Sequence, residues 1–316
     1  MYFGSVRFFK HILLLLVAVV VAGLIALVVW QSAEVKRLSA ELDGLKVEVA
    51  TESDKPDTET EAETSANGFI TTTPTETEAE TTTAEPEPVS IGKYDLLYPE
   101  LYADLPNNAA YDSDDNHIYL TFDDGPSDNT MSILSILDKY NVKATFFVVP
   151  QDTDEDAELM KAIVGRGHTI GVHSLTHNYN TIYKDTESFL EDFNAAYEII
   201  YRRTGVKPVL FRFPGGSIND FNTTTIDDII TEMTRRGFIY FDWNCQSNDS
   251  DGANWTSMYY GVTSQIDVNK RSVVLFHDRN DCDNTVFVLE DIVLYFINNK
   301  DYVFSELKPT TTPLHF

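Results

Sequence analysis

Residues 91–316 predict an α/β domain with a largely parallel sheet curled toward a barrel, and three observations carry that reading. Short apolar runs alternate with stretches whose apolar residues recur at helical spacing. About 225 residues suffice for one barrel-like core. The residue types able to do chemistry gather at the C-terminal ends of the apolar runs, where a parallel barrel carries its active site.

The elements follow in order. The segment HIYLTFDDGP, His117 to Pro126, alternates apolar and polar residues and stops at a Gly-Pro turn, which predicts a strand over 118–122. Helical periodicity over 129–140 leads to an apolar strand at 144–149, and a second helix at 154–164 leads to a strand at 169–172. A long helix over 187–204 precedes a strand at 209–213, and a helix over 224–236 precedes one at 239–243. The last strand, 273–276, is followed by a helix over 286–298.

The first 90 residues are of another kind. Residues 12–30 hold no charged side chain and match the roughly 20 apolar residues that cross a bilayer as a helix. Arg7 and Lys10 precede them, so residues 1–11 are expected in the cytoplasm and the rest outside, on a single-pass anchor in the cell membrane. The run is longer than the roughly 7–15 residues of a signal-peptide core and ends without a small-x-small cleavage site, which favours an uncleaved anchor. Val35, Leu38, Leu42, Leu45 and Val49 recur every three or four residues, a short helical stalk over 31–50 that either pairs in a dimer or frays alone. Residues 51–90 are rich in Thr, Glu and Pro and predict a disordered tether.

Composition excludes several classes. The formal net charge is −27 and no basic patch or stripe occurs, which argues against a nucleic-acid partner. Two cysteines exclude a thiolate zinc cluster and permit at most one disulfide.

Asp123 and Asp124 raise a physical question, because adjacent carboxylates at a strand end need a cation, a shared proton or solvation to coexist. Taken alone, TFDDG is equally a solvated corner, and the two histidines of HSLTH, His173 and His177, are more often structural. Together they offer one Asp and two His, a three-ligand set that leaves positions open for water and substrate. Such a site lowers the pKa of water and polarises a carbonyl, and the second carboxylate is then free to act as base.

TFDDG, HSLTH, RFPGGS, DWNCQSND and VLFHD, in that order, resemble the five motifs of the polysaccharide deacetylases, the NodB-homology domain of carbohydrate esterase family 4. The resemblance covers residues 116–307. It implies a distorted (β/α) barrel that removes N-acetyl groups from a cell-wall or extracellular polysaccharide with one divalent metal ion, zinc first, with cobalt or manganese as alternatives. By the same resemblance Asp123 is the general base and Asp124, His173 and His177 are the metal ligands. Arg212 orients Asp123 through a charge-assisted pair. Pro214 and Gly215 form the substrate-binding turn with the Gly215 N–H as oxyanion donor, and Leu275 lines the acetyl pocket. His277 is the general acid, tuned by Asp249, with Asp242 and Asp251 as competitors for that role. Trp243 lines the groove or sits in the core.

Two departures stand out. Asn178 occupies the place where the second motif usually has proline, which predicts a changed turn with ligand spacing intact, and the polar loop 246–255 leaves the register of the fourth motif open. His117 and His168 read as structural. Cys245 and Cys282, each a few residues after a motif strand, are candidates for a disulfide beside the site or for two free thiols. The rival functions are a wall-binding module without catalysis and a membrane factor acting through its stalk, but both predict broken catalytic positions, and these are intact. Peptidoglycan N-acetylglucosamine is the first substrate expected, ahead of chitin oligomers, poly-N-acetylglucosamine and acetylated xylan.

Overall fold

The computed structural model describes residues 93–104, 111, 115–299 and 301–316, all within one compact unit, Ala84–Phe316. The expected anchor, stalk and tether lie outside the described residues. Among the described residues no helix is long and apolar enough to cross a membrane.

Eight strands form one parallel sheet: β1 His117–Asp123, β2 Thr145–Val148, β3 Thr169–Val172, β4 Leu210–Phe211, β5 Ile239–Tyr240, β6 Cys245–Gln246, β7 Ser272–His277 and β8 Val303–Ser305. Their order is β5-β4-β3-β2-β1-β7-β6, and β8 pairs with the start of β1. The sheet is a curled half-barrel in which β1 pairs with β2, β7 and β8, and β5 and β6 form the two ends of the path.

The helices are α1 Thr130–Lys139, α2 Asp154–Gly165, α3 Tyr179–Ile182, α4 Thr186–Thr204, α5 Ile226–Arg235, α6 Trp255–Gln265 and α7 Asp283–Ile297. Helix α2 starts at Thr153, whose hydroxyl accepts from the Asp156 N–H, and α4 at Asp185, whose carboxylate accepts from Ser188 N–H. Helix α4 ends on Gly205 in the left-handed region, at φ 79°.

Period-two alternation divides β1 between two environments. Ile118, Leu120 and Phe122 join the main core against the helices, whereas Tyr119 joins a smaller cluster with Phe147, Leu210, Phe241 and Val273 on the inner face. Thr121 and Asp123 continue that inner face upward, so the alternation that builds the core also delivers a carboxylate to the rim.

The structure shortens the expected strands at 209–213 and 239–243 to two residues each, because the chain there leaves the ladder for the turns that carry Arg212 to Ser217 and Trp243. Helix α6 is not visible in the sequence pattern: of its eleven residues only Met258 and Val262 are buried, too few for a periodic stripe. It is set instead by Asn254, whose side chain accepts from Ser257 N–H.

Candidate active site

The C-terminal ends of β1, β3, β4 and β7 surround a cleft of about 320 Å³ lined by Asp123, Asp124, His173, His177, Gly215, Trp243, Asp249, Leu275 and His277. Tyr179, Arg279, Asp251, Gln246, Asn248 and Ser250 complete its walls. Pro214 does not line it; its carbonyl accepts from the Tyr183 hydroxyl at 2.7 Å, which ties the turn to the core below.

On one wall, Asp124 Oδ1 lies 3.4 Å from His173 Nε2 and 3.2 Å from His177 Nε2. The His173 Nδ1 faces the Arg212 carbonyl at 2.8 Å, and because a carbonyl only accepts, Nδ1 carries the proton and Nε2 presents its lone pair to the cleft. Burial, with a further contribution from His173, lowers the His177 pKa despite the opposing charges of Asp124 and Asp123. Asp124 Oδ1 is buried and has no hydrogen-bond partner. Three electron-pair donors thus converge within 4.8 Å of one another with an orphaned carboxylate oxygen among them, the arrangement a divalent cation completes. Asp124 and His177 both hold left-handed backbone, at φ 71° and 50°, a conformation that costs roughly 1–3 kcal/mol per non-glycine residue and persists where surroundings enforce it.

Asp123 points to the inner face beside this set. The fully buried Arg212 guanidinium donates to its Oδ1 at 3.0 Å. Three more of its N–H groups are engaged, by Thr121 Oγ1 at 2.7 Å, Phe241 O at 2.8 Å and Asp242 O at 3.0 Å. A planar fork held at four points cannot swing, so it fixes one carboxylate oxygen of Asp123 and leaves the other toward the cleft, 4.0 Å from His173 Nε2.

Gly215 stands opposite at φ 74°, and a Cβ there would lie 2.8 Å from Tyr179 Cε1. Glycine is required both for the backbone conformation and for the close approach of Tyr179.

On the other wall, His277 Nδ1 donates to Asp249 Oδ1 at 2.7 Å. Of the three carboxylates the sequence left open, Asp249 is the one on this ring. Asp242 accepts from the Ser217 N–H and hydroxyl, and Asp251 lines the cleft at the far end of the same 3-10 turn, Asp249–Asp251. Asp249 also accepts from the His277 N–H, Ser250 N–H and Thr285 Oγ1. Burial works against charge on both groups, but the hydrogen bond and mutual charge outweigh it, so the His277 pKa is raised and that of Asp249 lowered.

Thr121, Tyr179, Thr285 and Arg279 were not identified from the sequence. Tyr179 and Arg279 follow a motif histidine by two residues, which was the available signal; Arg279 Nη1 lies 3.8 Å from Asp124 Oδ2 while the group pairs with Asp281. Thr285 lies far from Asp249 in sequence, and only the packing of α7 brings them together. Asn178 leads into α3, and His173 and His177 still converge on Asp124. His168 is buried and its Nδ1 accepts from Ala144 N–H, while His117 contacts Ser305 outside the cleft. Cys245 and Cys282 are buried free thiols, so the bridge considered from their positions is not formed, and burial pushes each thiol up to about 12.

Residues 110–234 match the family described as polysaccharide deacetylase. The chain is 33% identical over 208 residues to YheN of Bacillus subtilis strain 168, a protein named as a candidate polysaccharide deacetylase, covering 64% of this chain and 70% of that one. It is 30% identical to a peptidoglycan-N-acetylglucosamine deacetylase of Bacillus cereus, over 60% of this chain and 83% of the relative. Among solved structures, the catalytic domain of peptidoglycan N-acetylglucosamine deacetylase from Eubacterium rectale superposes with a TM-score of 0.62 at 33% identity, covering 66% of this chain and 96% of that one. A half-barrel of this topology, a rim of this composition and relatives of this similarity agree: the chain belongs to the polysaccharide deacetylases, the NodB-homology domains of carbohydrate esterase family 4.

Proposed function

We propose that this chain is a divalent-metal-dependent N-deacetylase that hydrolyses the acetamido groups of N-acetylglucosamine in peptidoglycan, releasing acetate and leaving a free amine. The observation that carries the reading is the juxtaposition in one cleft of an orphaned Asp124 oxygen between two imidazoles, the Asp123–Arg212 pair and the His277–Asp249 pair. A divalent cation, zinc in the first place, would be held by Asp124, His173 and His177 and would supply Lewis-acid polarisation of the acetyl carbonyl and acidification of water.

The protein's own groups do the rest. Asp123, held by Arg212, takes the proton of the attacking water. The Gly215 N–H donates to the carbonyl oxygen as negative charge develops on it. His277, its Nδ1 engaged by Asp249, gives a proton from Nε2 to the departing nitrogen, so that water and amide become acetate and amine. Leu275 and Trp243 receive the acetyl methyl and a sugar face. Residues 12–30 would hold the enzyme in the cell membrane with its cleft outside, where a wall polymer is the accessible substrate. The peptidoglycan deacetylases named among its relatives support that substrate.

The test is acetate released from purified peptidoglycan by the full-length, zinc-loaded chain, beside its Asp123→Asn variant and with chitin oligomers and acetylated xylan as competing substrates. Release from peptidoglycan by the parent alone is expected. Faster release from either competitor would reassign the substrate, and no release from any would turn the reading to a binding module.

A further inference from the structure

We propose that Asp192 is the positioning residue of the ligand set, a carboxylate that touches no ligand ring yet fixes the loop between His173 and His177. The proposal rests on the metal reading given above. Asp192 lies on the buried face of α4 with Phe189, Leu190 and Phe193, where an apolar side chain would be expected, and it is 8% exposed. A carboxylate there is tolerated only if its oxygens are occupied.

They are occupied by one loop. Asp192 Oδ2 accepts from Ser174 Oγ and from the Leu175 N–H, both at 2.7 Å. Oδ1 accepts from the Thr176 N–H at 2.9 Å and from Thr176 Oγ1 at 2.6 Å. Ser174 Oγ in turn accepts from the His177 N–H at 2.8 Å. Every residue between the two histidines is thus bonded to a single charged group on a separate helix, and the bond network ends on the backbone of His177. That backbone is in the left-handed region, which the loop would not hold without an external anchor. Charge-assisted bonds of this kind are short and directional, which suits them to fixing a ring by its backbone. Asp249 is built on the same plan, with four donors on one buried carboxylate, but acts on its histidine ring directly.

The experiment uses the full-length chain. Asp192→Asn keeps one acceptor oxygen and turns an amide NH2 against the second pair of donors. The zinc dissociation constant, measured by competition with a chelator, is expected to weaken about 10–100-fold, the usual effect of losing a group that orients a metal ligand. The KM should stay near the parent value, and kcat should return toward it at saturating zinc. Ser174→Ala, which cuts only the link from Asp192 to the His177 N–H, should weaken zinc binding in the same sense by less. Unchanged zinc affinity in Asp192→Asn, even with a lower melting temperature, would assign Asp192 to the fold and overturn the proposal. If that variant does not fold, unchanged zinc affinity in Ser174→Ala overturns it alone. A parent chain that binds no zinc would overturn the metal site itself, and the proposal with it.

Discussion

On the β7 wall of the cleft, Asp249 receives four hydrogen bonds and its partner His277 is charged more readily than a free histidine. On the β1–β3 wall, Asp124 Oδ1 is buried without a partner between two imidazole nitrogens, and His177 is harder to protonate than usual. The first wall is electrostatically complete from the protein's own atoms. The second holds electron pairs facing one another on strained backbone and becomes satisfied when a cation sits among them. Under the proposed function the difference separates two jobs: a proton donor would be ready in the free protein, whereas a ligand set would stay unsatisfied until its ion arrives.

The largest effect should come from breaking the incomplete wall. His177→Ala is expected to abolish stoichiometric zinc uptake and to lower kcat/KM by at least about 10³-fold, while the metal-free protein melts within a few degrees of the parent. Equilibrium dialysis and thermal melts of the metal-free and zinc-loaded proteins check this. A variant that kept its zinc would show that the two walls do not differ as described.

A smaller and sharper effect is expected on the complete wall. His277→Ala should reduce kcat by roughly 10²–10⁴-fold, the range for a general acid. Asp249→Asn should reduce it less and move the alkaline limb of the pH–rate profile to lower pH. The sign follows from the two opposing influences on His277: burial lowers its pKa, and the Asp249 hydrogen bond and charge raise it, so removing Asp249 leaves burial unopposed by its main partner. By linkage, the stability contributed by this pair is full between the ordinary aspartate and histidine pKa values, and is lost as pH rises through the raised His277 pKa or falls through the lowered Asp249 pKa. An unmoved limb in Asp249→Asn would detach the acid from its carboxylate.

The smallest effect tests the register of the fourth motif. Asp251→Asn should leave the alkaline limb in place, because the carboxylate bonded to the His277 ring is Asp249. The same pH–rate measurement decides it, and a limb that follows Asp251 would exchange the roles of the two carboxylates.

Much of this is legible in the sequence. Alternation over 117–123 placed Asp123 and Asp124 at a strand end, and motif order brought His173, His177, Arg212 and His277 to the same rim, because strand direction in a parallel sheet is set by the chain's own α/β rhythm. The motif points to Asp249, but a run without periodicity does not distinguish it from Asp242 and Asp251. Asp192 carries a readable signal, an acid on the buried face of an amphipathic helix, but no motif marks it. Helix α6 and the two-residue strand β6 carried too little pattern to read.

The sequence by itself determined the alternation of strands and helices, the residue types on the rim and their chain order, since these depend on periodicity and local turn chemistry. Tertiary structure alone decided which carboxylate meets which histidine, that Thr285 reaches Asp249, that Gly215 faces Tyr179, and that Asp192 is bonded to the loop between His173 and His177. Those pairings join residues from separate elements, and their geometry is fixed only when helices dock on the sheet at distances that no local pattern encodes.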